Sequence, residues 1–112
     1  MQSLANKVQL IGHLGNAPEV KNLENGKKVT RFSLATNENY KNQKGEKITE
    51  TQWHNIVLWG KLAEIAENLL SKGSKVLIEG KITYRDYTDS NSVKRYLTEI
   101  QANEILVLDK SN

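Results

Sequence analysis

A single amphipathic helix among strand-like segments is the feature that most constrains the fold of this chain. Between residues 61 and 72, Leu62, Ile65, Ala66 and Leu69 follow the i, i+3, i+4, i+7 spacing of one helical face, and Gly73 follows as a stop signal. The other patterned segments alternate with the period of two that is typical of strands. Strands and helices therefore do not alternate along the chain, which argues against a parallel α/β sheet.

Five segments have the pattern of long strands. They cover residues 4–14, 28–36, 52–60, 75–84 and 94–108, and we expect a kink in the last of them near Asn103–Glu104. A weaker extended piece over residues 17–23 ends at Asn25-Gly26, a strong hairpin signal. The polar stretch over residues 37–51 is predicted to be a long β-hairpin loop with Gly45 at its tip, and residues 88–92 a second loop. Five strands with one helix between the third and fourth predict an all-β OB-fold, a five-stranded Greek-key barrel.

Length and composition narrow the class of protein further. The chain has 112 residues, which suits one domain, and it has no cysteine, which excludes disulfide scaffolds and thiolate metal sites. A mean hydropathy of −0.60 without a long apolar run predicts no membrane span. The N-terminus lacks the apolar core of a signal peptide, so we expect a cytoplasmic protein. An apolar content of 38% is low for this length and favours oligomerisation.

The residues that enzymes need are missing from the sequence. The two histidines, His13 and His54, lie on different predicted strands, and neither belongs to a metal-binding or nucleophile motif. We interpret both as structural and expect no enzyme activity, no metal and no cofactor. The charge is mild, +3 overall, and it is uneven: residues 1–61 sum to +4 and residues 62–112 to −1.

Two tryptophans on one strand are the main functional signal. Trp53 and Trp59 have even spacing and so point to the same face, about 20 Å apart along the strand. Because Ile56 and Leu58 are candidates for the core, the face that carries both tryptophans, with Asn55 and Val57, is expected to lie outside. Two exposed tryptophans are a costly apolar surface unless a ligand uses them.

Other aromatic and basic residues extend this pattern. Tyr40 is expected at the base of the polar loop, and Tyr87 stands at the edge of the second loop beside Arg85. Rings stack on unpaired bases of any identity, while basic side chains neutralise phosphates, so the pattern favours single-stranded over duplex nucleic acid. The basic candidates are Lys7, Arg31, Lys41, Lys44, Lys47, Lys61, Lys72 and Arg85.

Short motifs throughout the chain resemble the bacterial single-stranded DNA-binding protein family. They are Asn6-Lys7-Val8 through Gly15, Pro18-Glu19-Val20, Asn25-Gly26, Leu34-Ala35-Thr36, Thr51-Gln52-Trp53-His54, Leu58 through Glu64, Lys72 through Val76, Ile78-Glu79-Gly80 and Arg95-Tyr96. The resemblance implies an OB-fold that assembles as a homotetramer, a dimer of dimers in which the first strand pairs with its counterpart in a second subunit. It also implies base stacking at Tyr40, Trp53, Trp59 and Tyr87, and it links His54 to subunit assembly.

Some positions depart from the family. Asn55, Ser71, Thr83 and Asp86 stand where some relatives are basic, which predicts fewer phosphate contacts. We assign residues 1–108 to the DNA-binding domain and 109–112 to a short C-terminal end. Family members usually continue past this domain into a flexible linker and an acidic tip that recruits replication and repair enzymes. Residues 109–112 contain neither, so partners recruited in that way are not expected.

The predicted function is sequence-independent binding and protection of single-stranded DNA in replication, repair and recombination, in the cytoplasm with the nucleoid. One alternative on the same fold is a primosomal-type adaptor that binds DNA weakly and binds a helicase partner mainly; four stacking positions argue against it. A second alternative is RNA binding, because stacking does not depend on the sugar.

Overall fold

A computed structural model describes residues 4–108 of the chain. Within them, a short 3-10 turn at Leu4–Asn6 precedes six strands and one helix. In chain order these are β1 (Val8–Leu14), β2 (Glu19–Asn22), β3 (Lys28–Lys41), β4 (Lys47–Trp59), α1 (Lys61–Leu69), β5 (Lys75–Thr88) and β6 (Lys94–Val107). The short C-terminal end predicted over residues 109–112, and residues 1–3 of the predicted domain, lie outside the described residues.

Five strands close into a barrel. The order β1-β5-β6-β4-β3 returns to β1 through pairing between β1 and β3, and β2 adds to the edge of β3. The closing contact is short, since only His13 with Ala35 and Leu14 with Leu34 are paired there. The helix lies between the third and fourth barrel strands, so the predicted OB-fold is confirmed.

The core is built from one face of each strand. Leu34, Ile56, Leu58, Val76 and Ile78 are fully buried. Burying each such side chain stabilises the fold by roughly 1.5–3 kcal/mol. Helix α1 packs Ala63 and Ala66 against this cluster, and the buried Thr30 hydroxyl donates a hydrogen bond to the Ala63 carbonyl at 3.0 Å. In the described part of the chain no helix is long and apolar enough to cross a membrane.

Two hairpin arms extend from the barrel. The first arm, residues 37–51, continues the β3–β4 ladder out to the pair Lys41 and Lys47, so most of the segment predicted as a loop is strand. Cross-strand side-chain hydrogen bonds, rather than a buried apolar face, stabilise the ladder in this arm. The Thr49 hydroxyl donates to the Asn39 side chain at 2.8 Å, and the Thr51 hydroxyl donates to the Asn37 side chain at 2.7 Å. The second arm, residues 84–98, extends β5 and β6 to the pair Thr88 and Lys94.

Some predicted boundaries were wrong. The helix ends at Leu69 rather than at residue 72, because Leu70 is extended and buried. Gly73, with φ of +90°, belongs to the turn that follows. The first strand begins at Val8 and not at residue 4. The predicted kink in the last strand is confirmed as a bulge: Glu79 pairs with Glu104 and Gly80 with Ala102, which skips Asn103.

Candidate nucleic-acid interface

The register of β4 places both tryptophans on the side of the sheet opposite the core. Ile56 and Leu58 point inward, whereas Trp53 and Trp59 lie on the other side and are 61% and 40% exposed. We call this side of β3, β4, β5 and β6 the outer face. The prediction that the two rings share an exposed face is confirmed.

Val57, which lies between the tryptophans on the outer face, departs from the sequence prediction. We expected its side chain to be exposed, but it is buried. The register explains this, because Arg31 of β3 and Gln101 of β6 flank Val57 on its two sides. The tryptophans are therefore separated by a covered apolar residue and not joined into one exposed stripe.

A glycine provides the space for the Trp53 ring. A Cβ atom built at Gly15 would lie 2.3 Å from Cζ3 of Trp53, so any side chain there would overlap the indole. The backbone beneath is fixed, since the Gly15 amide donates to the Ser33 carbonyl at 2.9 Å and the Asn16 side chain accepts from the Ser33 amide at 2.9 Å. The sequence indicated only a strand break at Gly15-Asn16, because the ring that needs the space is distant in sequence.

Replacing Gly15 by alanine should move the Trp53 ring without unfolding the protein. The ring is mostly exposed, so it can swing away, and the melting temperature should change little. Binding of a dT oligomer should weaken by about fivefold, because one stack worth on the order of 1–3 kcal/mol is partly lost. Fluorescence emission and oligomer titration of Gly15→Ala check this. An unchanged emission maximum together with an unchanged dissociation constant would contradict the close contact between Gly15 and the Trp53 ring.

The two tyrosines occupy different environments. Tyr87 lies on the outer face of the second arm, half-exposed, with the Arg85 guanidinium carbon 5.9 Å from its ring centre. Tyr40 pairs with Ile48 beside the turn of the first arm, so it lies near the tip and not at the base as predicted. Because side chains alternate along β3, Tyr40 lies on the face opposite to that of Arg31. Its hydroxyl lies 3.3 Å from a Glu50 oxygen, and partial burial and Glu50 raise the pKa of Tyr40.

The predicted lysines fall in separate places. Lys41 and Lys47 are directly opposed across the first arm with Lys44 in the turn between them, and like charges in such a pair are destabilising unless an anion lies near them. Lys61 is the first residue of α1. Lys72 precedes Gly73, whose amide donates to the Leu14 carbonyl at 2.9 Å next to Gly15. Lys7 forms an ion pair with Glu79 at 3.4 Å beside β1.

The predicted arginines meet on the outer face. Arg31 of β3 and Arg85 of β5 each bond through Nε to one oxygen of Glu99 on β6, at 3.1 Å and 2.9 Å. Around them is an open cavity of about 390 Å³, lined also by Asn16, Ser33 and Asn55. Sequence reasoning missed Glu99, because a lone acidic residue in an alternating strand is indistinguishable from a surface charge until the fold brings its partners to it.

The two histidines do not meet. His13 is exposed on β1, while the His54 ring lies 2.9 Å from the Thr36 hydroxyl through Nε2. In the described range, residues 4–108, no group of three or more acidic or histidine side chains could hold a metal ion. Burial lowers the pKa of His54 below its usual 6.5.

The pKa of His54 predicts a pH dependence of stability. An imidazole with a lower pKa in the folded state binds a proton more readily when the chain is unfolded. Its contribution to stability is therefore complete above about pH 6.5 and decreases as the pH falls below that value. Between pH 7.5 and pH 5, the melting temperature of the parent should fall more than that of His54→Gln, whose amide can still bond to Thr36. Equal declines would contradict this role for His54.

Comparisons with known proteins show to which family the chain belongs. Residues 5–108 match the model of the single-strand binding protein family. A single-stranded DNA-binding protein of Xanthomonas campestris is 46% identical over 103 residues, covering 92% of this chain and 60% of the relative. One of Neisseria meningitidis is 44% identical over 107 residues, covering 96% of this chain and 62% of the relative. The chain thus spans about three fifths of the length of these curated relatives.

Solved structures give the same result. The Plasmodium falciparum SSB in a complex with ssDNA superposes with a TM-score of 0.85 at 35% identity, covering 97% of this chain and 98% of that chain. A deletion mutant of the single-stranded DNA binding protein from Thermus aquaticus gives a TM-score of 0.80 at 27% identity, covering 93% and 50%. On the family match over nearly the whole chain and on this shared fold, the chain belongs to the single-strand binding protein family.

Proposed function

We propose that this protein binds single-stranded DNA without sequence preference and without enzymatic activity, and so protects it during replication, repair and recombination. The observation that carries the proposal is the pair of exposed tryptophans on the outer face, with Arg31 and Arg85 on the same face. The names of the relatives, and the ssDNA bound in the Plasmodium structure, support the same assignment.

Physical chemistry links this surface to single strands. Unpaired bases expose apolar faces that stack on Trp53, Trp59 and Tyr87 of the outer face and on Tyr40 near the tip of the first arm, whereas a duplex keeps those faces hidden. Basic residues neutralise phosphates and release counterions. We assign this role to Lys7, Arg31, Lys41, Lys44, Lys47, Lys61, Lys72 and Arg85. Lys7 and the arginines already have acidic partners, so their contribution per residue is smaller than that of the lysines around the first arm.

We also propose assembly into a homotetramer. Within the described residues, β1 pairs with β5 from Val8 to His13, but on its other edge it meets β3 only at His13 and Leu14. An exposed strand edge of this kind is a template for pairing with another chain. Ile11 on β1 and Leu106 on β6 are exposed and flank Leu77 of β5 on one face, which adds apolar area for a second subunit to cover.

The proposed unit is one DNA-binding domain over residues 1–108, acting in the cytoplasm on the nucleoid. Light scattering should give a mass four times 12.7 kDa at micromolar concentration. A mass of one or two chains would contradict the tetramer. A dimer with only micromolar affinity for DNA would instead favour the adaptor function.

Competition for a fluorescently labelled dT oligomer tests the DNA-binding function. Unlabelled dT should displace the label at much lower concentration than duplex DNA of equal length, and a matched RNA strand measures the preference for sugar. The logarithm of the binding constant should fall with the logarithm of salt concentration, with a slope of about −0.7 for each phosphate neutralised. Failure to bind dT at low salt, or equal competition by the duplex, would overturn the proposal.

A further inference from the structure

Glu99 is a buried acid in the middle of a surface proposed to bind a polyanion. Only 5% of Glu99 is exposed, and each oxygen of its carboxylate accepts a hydrogen bond from the Nε of a different arginine. The three residues come from β3, β5 and β6, so the cluster joins three strands at the base of the second arm. A negative charge here would repel DNA if its only effect were electrostatic.

The pairing leaves much of each arginine available. Both guanidinium groups contact Glu99 through Nε. The side chains of Arg31 and Arg85 remain 38% and 46% exposed. A guanidinium fixed at Nε can still offer its Nη groups to an anion, and two arginines can present such groups to a single phosphate.

The position of the cluster suits a phosphate between stacked bases. Arg85 lies over the Tyr87 ring at 5.9 Å. On the other side, Arg31 shares the outer face of β3 with Ser33, and Ser33 lies beside the contact between Gly15 and Trp53. Both arginines line one open cavity together with Glu99 and Ser33.

We propose that Glu99 is a positioning residue, which holds Arg31 and Arg85 as a paired site for one phosphate of single-stranded DNA. This proposal rests on the function proposed above. The carboxylate fixes both flexible side chains before DNA arrives, so less conformational entropy is lost on binding. The cluster keeps a net charge of +1, which attracts the phosphate although an acid lies at its centre.

The variant Glu99→Gln distinguishes positioning from simple electrostatics by the sign of its effect. Removing a negative charge from the surface should tighten DNA binding if charge alone matters. If Glu99 positions the arginines, binding of a dT oligomer should weaken by about tenfold, because a charge-assisted contact is lost, and the salt slope should become shallower. The matched control is Glu104→Gln, an exposed acid on the same strand with the same change of charge, which should bind as tightly as the parent or slightly more tightly.

A triple variant makes the test independent of any unpaired buried charge. Arg31→Gln, Glu99→Gln and Arg85→Gln together leave only neutral amides, and circular dichroism checks the fold. Its salt slope should be shallower by about 0.7, the value for one phosphate. A change of the salt slope near 1.4 would mean that the arginines contact two separate phosphates, and it would overturn the proposal. An unchanged slope, or tighter DNA binding by Glu99→Gln, would overturn it too. If the parent itself fails to bind dT, the proposed function fails instead.

Discussion

Replacing Trp53 and Trp59 together by alanine should weaken binding of a dT oligomer by about 2–6 kcal/mol, which is at least about thirtyfold. Each ring lies on the outer face and is free to stack on a base, and each stack contributes on the order of 1–3 kcal/mol. The fold should survive, because both side chains are largely exposed and neither belongs to the core cluster. Anisotropy of a labelled oligomer measures the affinity after the tryptophans are gone.

The single variants and a matched control make this result specific. Trp53→Ala should cost more than Trp59→Ala, since Trp53 is the more exposed ring and so presents more of its surface to a base. Tyr84→Ala removes an even more accessible ring from the second arm, 77% exposed but on the opposite face from Arg85 and Tyr87, and should bind within about twofold of the parent. A double tryptophan variant within threefold of the parent would rule out stacking at these positions.

Replacing Gly12 by alanine should produce a large loss of stability. A Cβ atom there would lie 2.2 Å from the carbonyl oxygen of Ala35, and this oxygen is backbone that cannot rotate away. Relief requires β1 to move from β3 at the two residue pairs that close the barrel. Overpacking of this kind costs about 3 kcal/mol, or about 10 °C in melting temperature for a domain of this size.

A glycine in open space provides the control for Gly12→Ala. Gly45, at the tip of the first arm, has φ of +78° and no atom within 4 Å of a built Cβ. Asparagine tolerates that backbone conformation, so Gly45→Asn should cost less than about 1 kcal/mol. Both variants must be melted at the same protein concentration, because assembly makes the melting temperature depend on it. A shift under 2 °C for Gly12→Ala would contradict the close approach of β1 and β3.

The barrel could be predicted from the sequence because its core strands follow the rule of alternation. Phe32 and Leu34 of β3 are buried and alternate with the less buried Arg31 and Ser33, and α1 has its own period, so the type and order of these elements were correct. The first arm could not be predicted as paired strand. Its residues are mostly polar on both faces, and the ladder there depends on pairs such as Thr51 with Asn37, which no local pattern reveals.

The candidate site, too, could be predicted from the sequence only in part. Trp53 and Trp59 could be found because even spacing on one strand fixes a common face. Glu99 could not, since its partner Arg31 is 68 residues away in sequence and their meeting depends on the barrel. The helix end was wrong for a related reason: Leu70 enters the core as extended chain, which removes it from the helical repeat that precedes it.

Intrinsic fluorescence tests the central claim most directly. The sequence contains two tryptophans, and both lie on the outer face, so tryptophan emission, excited selectively over that of the four tyrosines, comes from these two rings alone. We predict that titration with a dT oligomer at low salt quenches this emission to saturation, at the same concentrations that displace a labelled strand, and that duplex DNA does not. Emission that stays unchanged while dT binds would show that the bases do not stack on Trp53 and Trp59, and would contradict the account.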